Sequence, residues 1–147
     1  MSQAKTRARK CAVQALYQWQ VTGQNLSAIE QQFIDEDRLK NAQKNYFFEL
    51  IHGIPEQLNE IDTALTEFID RPLDKINLVE RAVLRIGAYE LLKRPEIPYR
   101  VILNESIDLA KCFGAEGSHK YINGILDKIA EKNRAVEIEM KSKQRSG

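Results

Sequence analysis

Between Leu78 and Leu92 the chain carries apolar residues over most of a helical circumference, among them Val79, Ala82, Val83, Ile86 and Tyr89. A helix that is apolar on one stripe can lie on a surface, whereas one that is apolar nearly all round must be enclosed by other helices. The rest of the chain supplies them. Ala12, Ala15, Leu16 and Trp19 recur at three and four, giving a first helix that stops near Gly23. Ser27 is positioned to cap a second through Ile29, Phe33 and Ile34. A third runs from about Ala42 through Phe47, Leu50 and Ile51, and Pro55 either kinks it or starts a fourth, Leu58 to Ile69. After the central helix, Pro95 and Pro98 break the pattern. Leu103, Ile107, Ala110 and Phe113 then form an inward face that ends at Gly114, and Ser118 is expected to cap a last helix through Tyr121, Ile122, Ile125, Leu126 and Ile129.

Alternating strand patterns and hairpin dipeptides are absent. The expected fold is all-α, with about seven helices in two small bundles packed together. Arg71-Pro72 divides an N-terminal half (about 4–70) from a C-terminal half (about 76–132), within one domain spanning 1–147. Residues 133–147 read as a frayed or flexible tail. A chain of 147 residues buries roughly two-thirds of its unfolded surface, enough for one stable core.

The net charge of +1 is unevenly spread. Residues 1–29 carry +4 and the last fifteen +2, which leaves −5 for the body between them. A basic end on an acidic body suits a localised anionic partner. Lys5, Arg7, Arg9 and Lys10 precede the first apolar stripe, and no acidic residue appears before Glu30. Cations at a helix N-terminus oppose the helix dipole, so an anion in view would explain them; a solvated arm is the alternative. Cys11 and Cys112 have neither metal-ligand nor disulfide spacing, and read as small core hydrophobes of a reducing cytoplasm. No run approaches the ~18 apolar residues of a membrane helix. Gln14, Gln18 and Gln20 interrupt any signal-peptide core.

Catalytic signatures are missing. His52 and His119 have no metal-binding spacing, and there is no nucleophile elbow, phosphate loop or dinucleotide fingerprint, so no catalytic residue, metal or cofactor is expected. Nucleic-acid binding has three local signals. The first is the Lys5–Lys10 cluster. The second is Arg81 with Arg85 at i, i+4, a repulsive spacing relieved either by an anion or by salt bridges across a helix interface. The third is Ser118-His-Lys-Tyr-Ile-Asn123, where a helix start favours anions, His119 and Lys120 add donors, Tyr121 offers a ring for base stacking and Asn123 a base-edge partner. Tyr17, beside the Leu16/Trp19 stripe and two turns from Arg9 and Lys10, is a second candidate ring, with core packing the alternative.

Four stretches resemble the NusB family of bacterial transcription antitermination factors. They are Arg7 to Gln20, Glu80 to Leu92, Ile97 to Gly114 and Ser118 to Lys128, in order over about residues 5–134. The resemblance implies two three-helix bundles. It also implies binding of the single-stranded boxA element of ribosomal RNA leader transcripts together with NusE, a small-subunit ribosomal protein. The pair helps RNA polymerase read through terminators. The family's arginine-rich N-terminus maps onto Lys5, Arg7, Arg9 and Lys10, its RNA-contacting tyrosine onto Tyr17, its central-helix arginine onto Arg85, and its last-helix aromatic onto Tyr121. On that reading Lys5, Arg7, Arg9, Arg85 and Lys120 hold phosphates, and ~4–5 contacts give a log affinity against log salt slope of about −3 to −3.5.

Thr6 and Lys10 stand where some members have arginine and glutamate, and Gly117 replaces a commonly acidic residue. Losing that negative charge should favour RNA. Two rival readings remain at this level: a helical protein–protein scaffold with an incidental basic arm, and the detached RNA-binding module of a ribosomal RNA methyltransferase. A homodimer is left open, since the sequence does not show whether the N-terminal helices pair between copies.

Overall fold

A computed structural model describes residues 3–146. Its α-helices are α1 (Gln3–Thr22), α2 (Leu26–Asp35), α3 (Lys44–Glu56), α4 (Leu58–Thr66), α5 (Leu78–Lys93), α6 (Tyr99–Phe113), α7 (Ser118–Asn133) and α8 (Ala135–Ser146), with one 3-10 turn, Leu73–Lys75. No strand occurs among the described residues.

The central position of α5 follows its apolar circumference. Every residue from Ala82 to Leu91 is buried, and α1, α3, α4, α6 and α7 all pack on it. Gly87 leaves room for α6 and α7: a Cβ there would lie 2.5 Å from Leu126 Cδ1 and 3.0 Å from Ser106 Oγ, so any side chain would force these two to move. The apolar residues of both halves merge into one continuous core, from Ala8 and Leu16 through Phe33, Phe47 and Ile61 to Ile86, Ile102 and Ile129.

Several boundaries depart from the sequence pattern. Asn25, not Ser27, caps α2: its side chain accepts the Ser27 N–H at 2.7 Å. Helix α3 starts at Lys44 rather than near Ala42. Pro55 lies within the last turn of α3, and α4 begins three residues later. Cys11 is buried as expected, but Cys112 is exposed, because α6 turns its Lys111–Cys112 edge to solvent.

Within the stretch expected as a frayed or flexible tail, residues 135–146 form α8. Arg134, between α7 and α8, is 6% exposed. Its guanidinium donates to the carbonyls of Glu90 (3.1 Å), Leu91 (2.9 Å), Arg94 (2.9 Å) and Ile97 (2.9 Å). The carbonyls of a last helical turn have no partner within the helix, and Arg134 supplies one for α5. Glu137 accepts the Tyr99 N–H at 2.9 Å at the start of α6 and pairs with Arg134 at 2.6 Å. Burial opposes ionisation of Glu137, but the Tyr99 N–H and Arg134 outweigh it and hold its pKa below the usual carboxylate value. Sequence periodicity could not register this anchoring, because the partners are backbone groups about forty residues away.

The deepest polar feature joins α1, α3, α5 and α6. Arg9 is 1% exposed and pairs with Glu90 at 2.8 Å and Glu105 at 2.6 Å, both buried. Thr6 donates to Glu105 at 2.5 Å, and the Tyr46 hydroxyl donates to Glu90. The Tyr46 ring also lies 5.4 Å from the Arg9 guanidinium. Burial and the neighbouring Glu90 raise the Tyr46 pKa, so its hydroxyl stays a donor. For Arg9, burial works against the charge, yet Glu90 and Glu105 outweigh it and its pKa is raised.

Removing one member of such a network strands the others. Arg9→Ala leaves two buried carboxylates facing each other and is expected to cost about 3–5 kcal/mol of unfolding free energy in a urea titration. A loss below about 1 kcal/mol would show that the network does not pin these four helices.

Candidate nucleic-acid interface

The helical repeat sorts α1 into two faces. Ala8, Arg9, Ala12, Ala15 and Leu16 point inward, while Gln3, Arg7, Lys10, Gln14, Tyr17 and Val21 form an exposed stripe. Two concavities follow this stripe. One, of about 390 Å³, is lined by Gln3, Thr6, Arg7 and Lys10 of α1 and by Asn41 from the loop after α2. Asn41 reaches it in a left-handed backbone conformation (φ 65°) that asparagine tolerates better than most residues. A hydrogen bond from the Gln43 N–H to the Ala4 carbonyl, at 2.9 Å, holds the loop there.

The other concavity, of about 440 Å³, surrounds Tyr17 with Val13, Gln14, Gln18, Val21, Thr22, Arg38, Val79 and Phe113. Its lining is mostly apolar, and neither concavity contains a carboxylate. Tyr17 is 42% exposed, so its ring is accessible rather than part of the core. Arg38 rests 3.8 Å over the Phe33 ring, donates to Gln14 at 3.0 Å and pairs with Glu36 at 3.4 Å.

Beyond Val79 lies the start of α7. Its N-cap is Gly117, left-handed at φ 81°, which makes no side-chain cap. Ser118 does not cap α7 as expected. It is the buried first residue of the helix, and its hydroxyl donates to Glu80 of α5 at 2.6 Å. Lys120 is exposed, and His119, Tyr121 and Asn123 are half-buried. The Tyr121 hydroxyl donates to Asp70 at 3.1 Å, and partial burial together with that carboxylate raises its pKa.

Two candidates need correction. Arg9 is sealed in the Glu90–Glu105 network and presents nothing to an outside anion. Arg85 is 7% exposed; its Nε and Nη2 bond both carboxylate oxygens of Asp62 at 3.0 Å, and Nη1 bonds Gln20 at 2.9 Å. Asp62 thus neutralises Arg85 within the fold, while Arg81 still feels its like-charged neighbour. Arg81 is held by the Ile76 carbonyl at 3.1 Å, and burial and Arg85 lower its pKa. Lys5 is half-buried with its ammonium 4.8 Å from the centre of the Tyr46 ring, while Arg7 and Lys10 remain exposed.

Asn41, Arg38 and Phe113 escaped the sequence reading. They reach α1 only through tertiary packing, and no local spacing announces them.

The NusB family model matches residues 6–131. The transcription antitermination protein NusB of Nitrosococcus oceani is 51% identical over 145 residues, covering 99% of this chain and 97% of its own. That of Edwardsiella ictaluri is 47% identical over 131 residues, covering 89% and 94%. Among solved structures, T. maritima NusB superposes with a TM-score of 0.78 at 33% identity, covering 90% of this chain and 94% of its own. A structure of antitermination factors NusB and NusE in complex with double-stranded RNA gives 0.81 at 26% identity, covering 90% and 99%.

The two kinds of arginine separate in thermal or urea unfolding. Arg85→Ala, which strands the mostly buried Asp62, is expected to lower stability by about 2–3 kcal/mol. Arg7→Ala should stay within about 0.5 kcal/mol of the parent. Equal effects would contradict the assignment of Arg85 to the interior.

Proposed function

The chain belongs to the NusB family, and from that premise we propose that it is a transcription antitermination factor that binds boxA RNA of ribosomal RNA leader transcripts together with NusE. The bound pair assists RNA polymerase in reading through terminators, in the cytoplasm, without catalysis or a cofactor. The observation that carries this reading is the carboxylate-free outer face of α1, where Arg7, Lys10 and Tyr17 stand exposed on one stripe of an otherwise acidic molecule. Phosphates prefer such a surface because nothing on it competes for the cations.

Arg7, Lys10, Lys5 and Lys120 hold phosphates, Tyr17 and Tyr121 receive bases, and His119 and Asn123 add polar contacts beside Tyr121. Arg9 and Arg85 serve by holding α1 against α5. A relative has been solved with NusE and double-stranded RNA. A tyrosine ring, however, stacks only on a base that has left its duplex, so the single-stranded boxA element suits Tyr17 and Tyr121 better. The absence of carboxylates beside Arg7 and Tyr17 disfavours a scaffold whose basic end is incidental.

Binding of labelled boxA-type RNA, with and without NusE, tests the proposal. With Arg9 and Arg85 withdrawn, ~3–4 phosphate contacts remain. Log affinity should then fall against log salt with a slope of about −2 to −3, shallower than the slope expected when all five cations are counted. Tyr17→Ala should weaken binding by about 1–3 kcal/mol and leave that slope unchanged. NusE binding to which RNA contributes nothing would favour the scaffold.

Gly117 adds a charge test. Asparagine and aspartate both tolerate its left-handed conformation and differ by one charge. Gly117→Asp should therefore bind RNA several-fold more weakly than Gly117→Asn. Equal dissociation constants at fixed low salt would remove the start of α7 from the interface.

A further inference from the structure

The segment joining the two halves of the chain carries an arginine that neither the charge clusters nor the family resemblance brought forward. Arg71 lies with its guanidinium 5.1 Å from the centre of the Tyr121 ring. Asp70 holds it in a fork, accepting from Nε at 2.8 Å and from Nη2 at 3.1 Å, and also accepts the Tyr121 hydroxyl at 3.1 Å. One carboxylate therefore fixes both the cation and the ring on which it stacks. Nη1 makes no hydrogen bond among the described residues, and the side chain is 48% exposed.

Other cation–ring pairs differ in what they leave accessible. Arg9 and Arg94 stack on Tyr46 and Arg38 on Phe33, rings that are buried; Arg85 faces Trp19 but is itself buried. Arg71 on Tyr121 joins an exposed cation to a half-buried ring, and Lys120 is exposed on the neighbouring residue. A guanidinium held beside an aromatic ring keeps its unpaired N–H donors for an oxyanion, and a planar fork loses little freedom when it binds one.

We propose that Arg71 is a further RNA-contacting residue, donating through Nη1 to a backbone phosphate of the nucleotide that Tyr121 receives. The proposal rests on the RNA-binding reading above and extends that interface to the junction between the two halves. Asp70 is its positioning residue, holding the guanidinium in register with the ring.

The test measures boxA-type RNA affinity across a salt series for the full chain and for Arg71→Ala and Arg71→Lys, with thermal unfolding alongside. Arg71→Ala is expected to bind about tenfold more weakly at low salt, with the slope against log salt reduced by about 0.7–0.9, as for one lost phosphate contact. Arg71→Lys should keep the parental slope and lose a few-fold in affinity, because an ammonium keeps the charge but not the planar stack. Both should unfold within a few degrees of the parent, since the residue is exposed. Parental affinity and slope in Arg71→Ala would overturn the proposal. So would weaker binding at an unchanged slope, which would make Arg71 a support for the ring alone. A parent chain that fails to bind the RNA overturns the functional reading itself, and that outcome is recognised before any variant is compared.

Discussion

One buried charge cluster ties the molecule together. Arg9 enters from α1, Glu90 from α5, Glu105 from α6 and the Tyr46 hydroxyl from α3, and all four groups meet away from water. Ion pairs at such depth gain little net free energy over a well-packed apolar cluster, because desolvation offsets attraction. Mispairing is what they penalise: any register of α1 on α5 that fails to bring Arg9 to Glu90 leaves an uncompensated charge inside. The apolar face of α1 and this cluster therefore select the same rotation.

That choice of rotation also builds the outer surface. Arg7 and Lys10 lie about 200° and 100° around the helix from Arg9, so burying Arg9 turns both of them outward and carries Gln14 and Tyr17 with them. The inner network and the outer stripe are two faces of one constraint. Arg85 plays a similar part lower on α5, where Asp62 and Gln20 hold it between α4 and α1. Charges that look alike in sequence thus divide into those that orient the helices and those left exposed on the outer stripe.

The start of α7 depends on contacts between halves. Ser118 is fixed by Glu80, Tyr121 by Asp70 and Arg71, and the ends of α5 and α6 are secured by Arg134 and Glu137 from the α7–α8 junction. An RNA strand lying along α1 and reaching α7 would cross from one half to the other, so the same packing that closes the core sets the distance between its two tyrosines.

The sequence by itself determined the all-α architecture and the enclosure of α5, and it marked Arg7, Lys10, Tyr17 and Lys120 as candidates whose exposure the fold then decided. These follow from apolar period and local charge, which are properties of neighbouring residues. It could not say that Arg9 and Arg85 face inward, since a helical position fixes direction only after the partners Glu90, Glu105 and Asp62, at least 23 residues away, are in place. Nor could it show that Ser118 binds Glu80, that residues 135–146 form a helix, that Asn41 and Arg38 line the concavities along α1, or that Arg71 lies against Tyr121. Those outcomes belong to tertiary structure, because desolvation decides which charges are bound within the fold, and only packing decides which are desolvated.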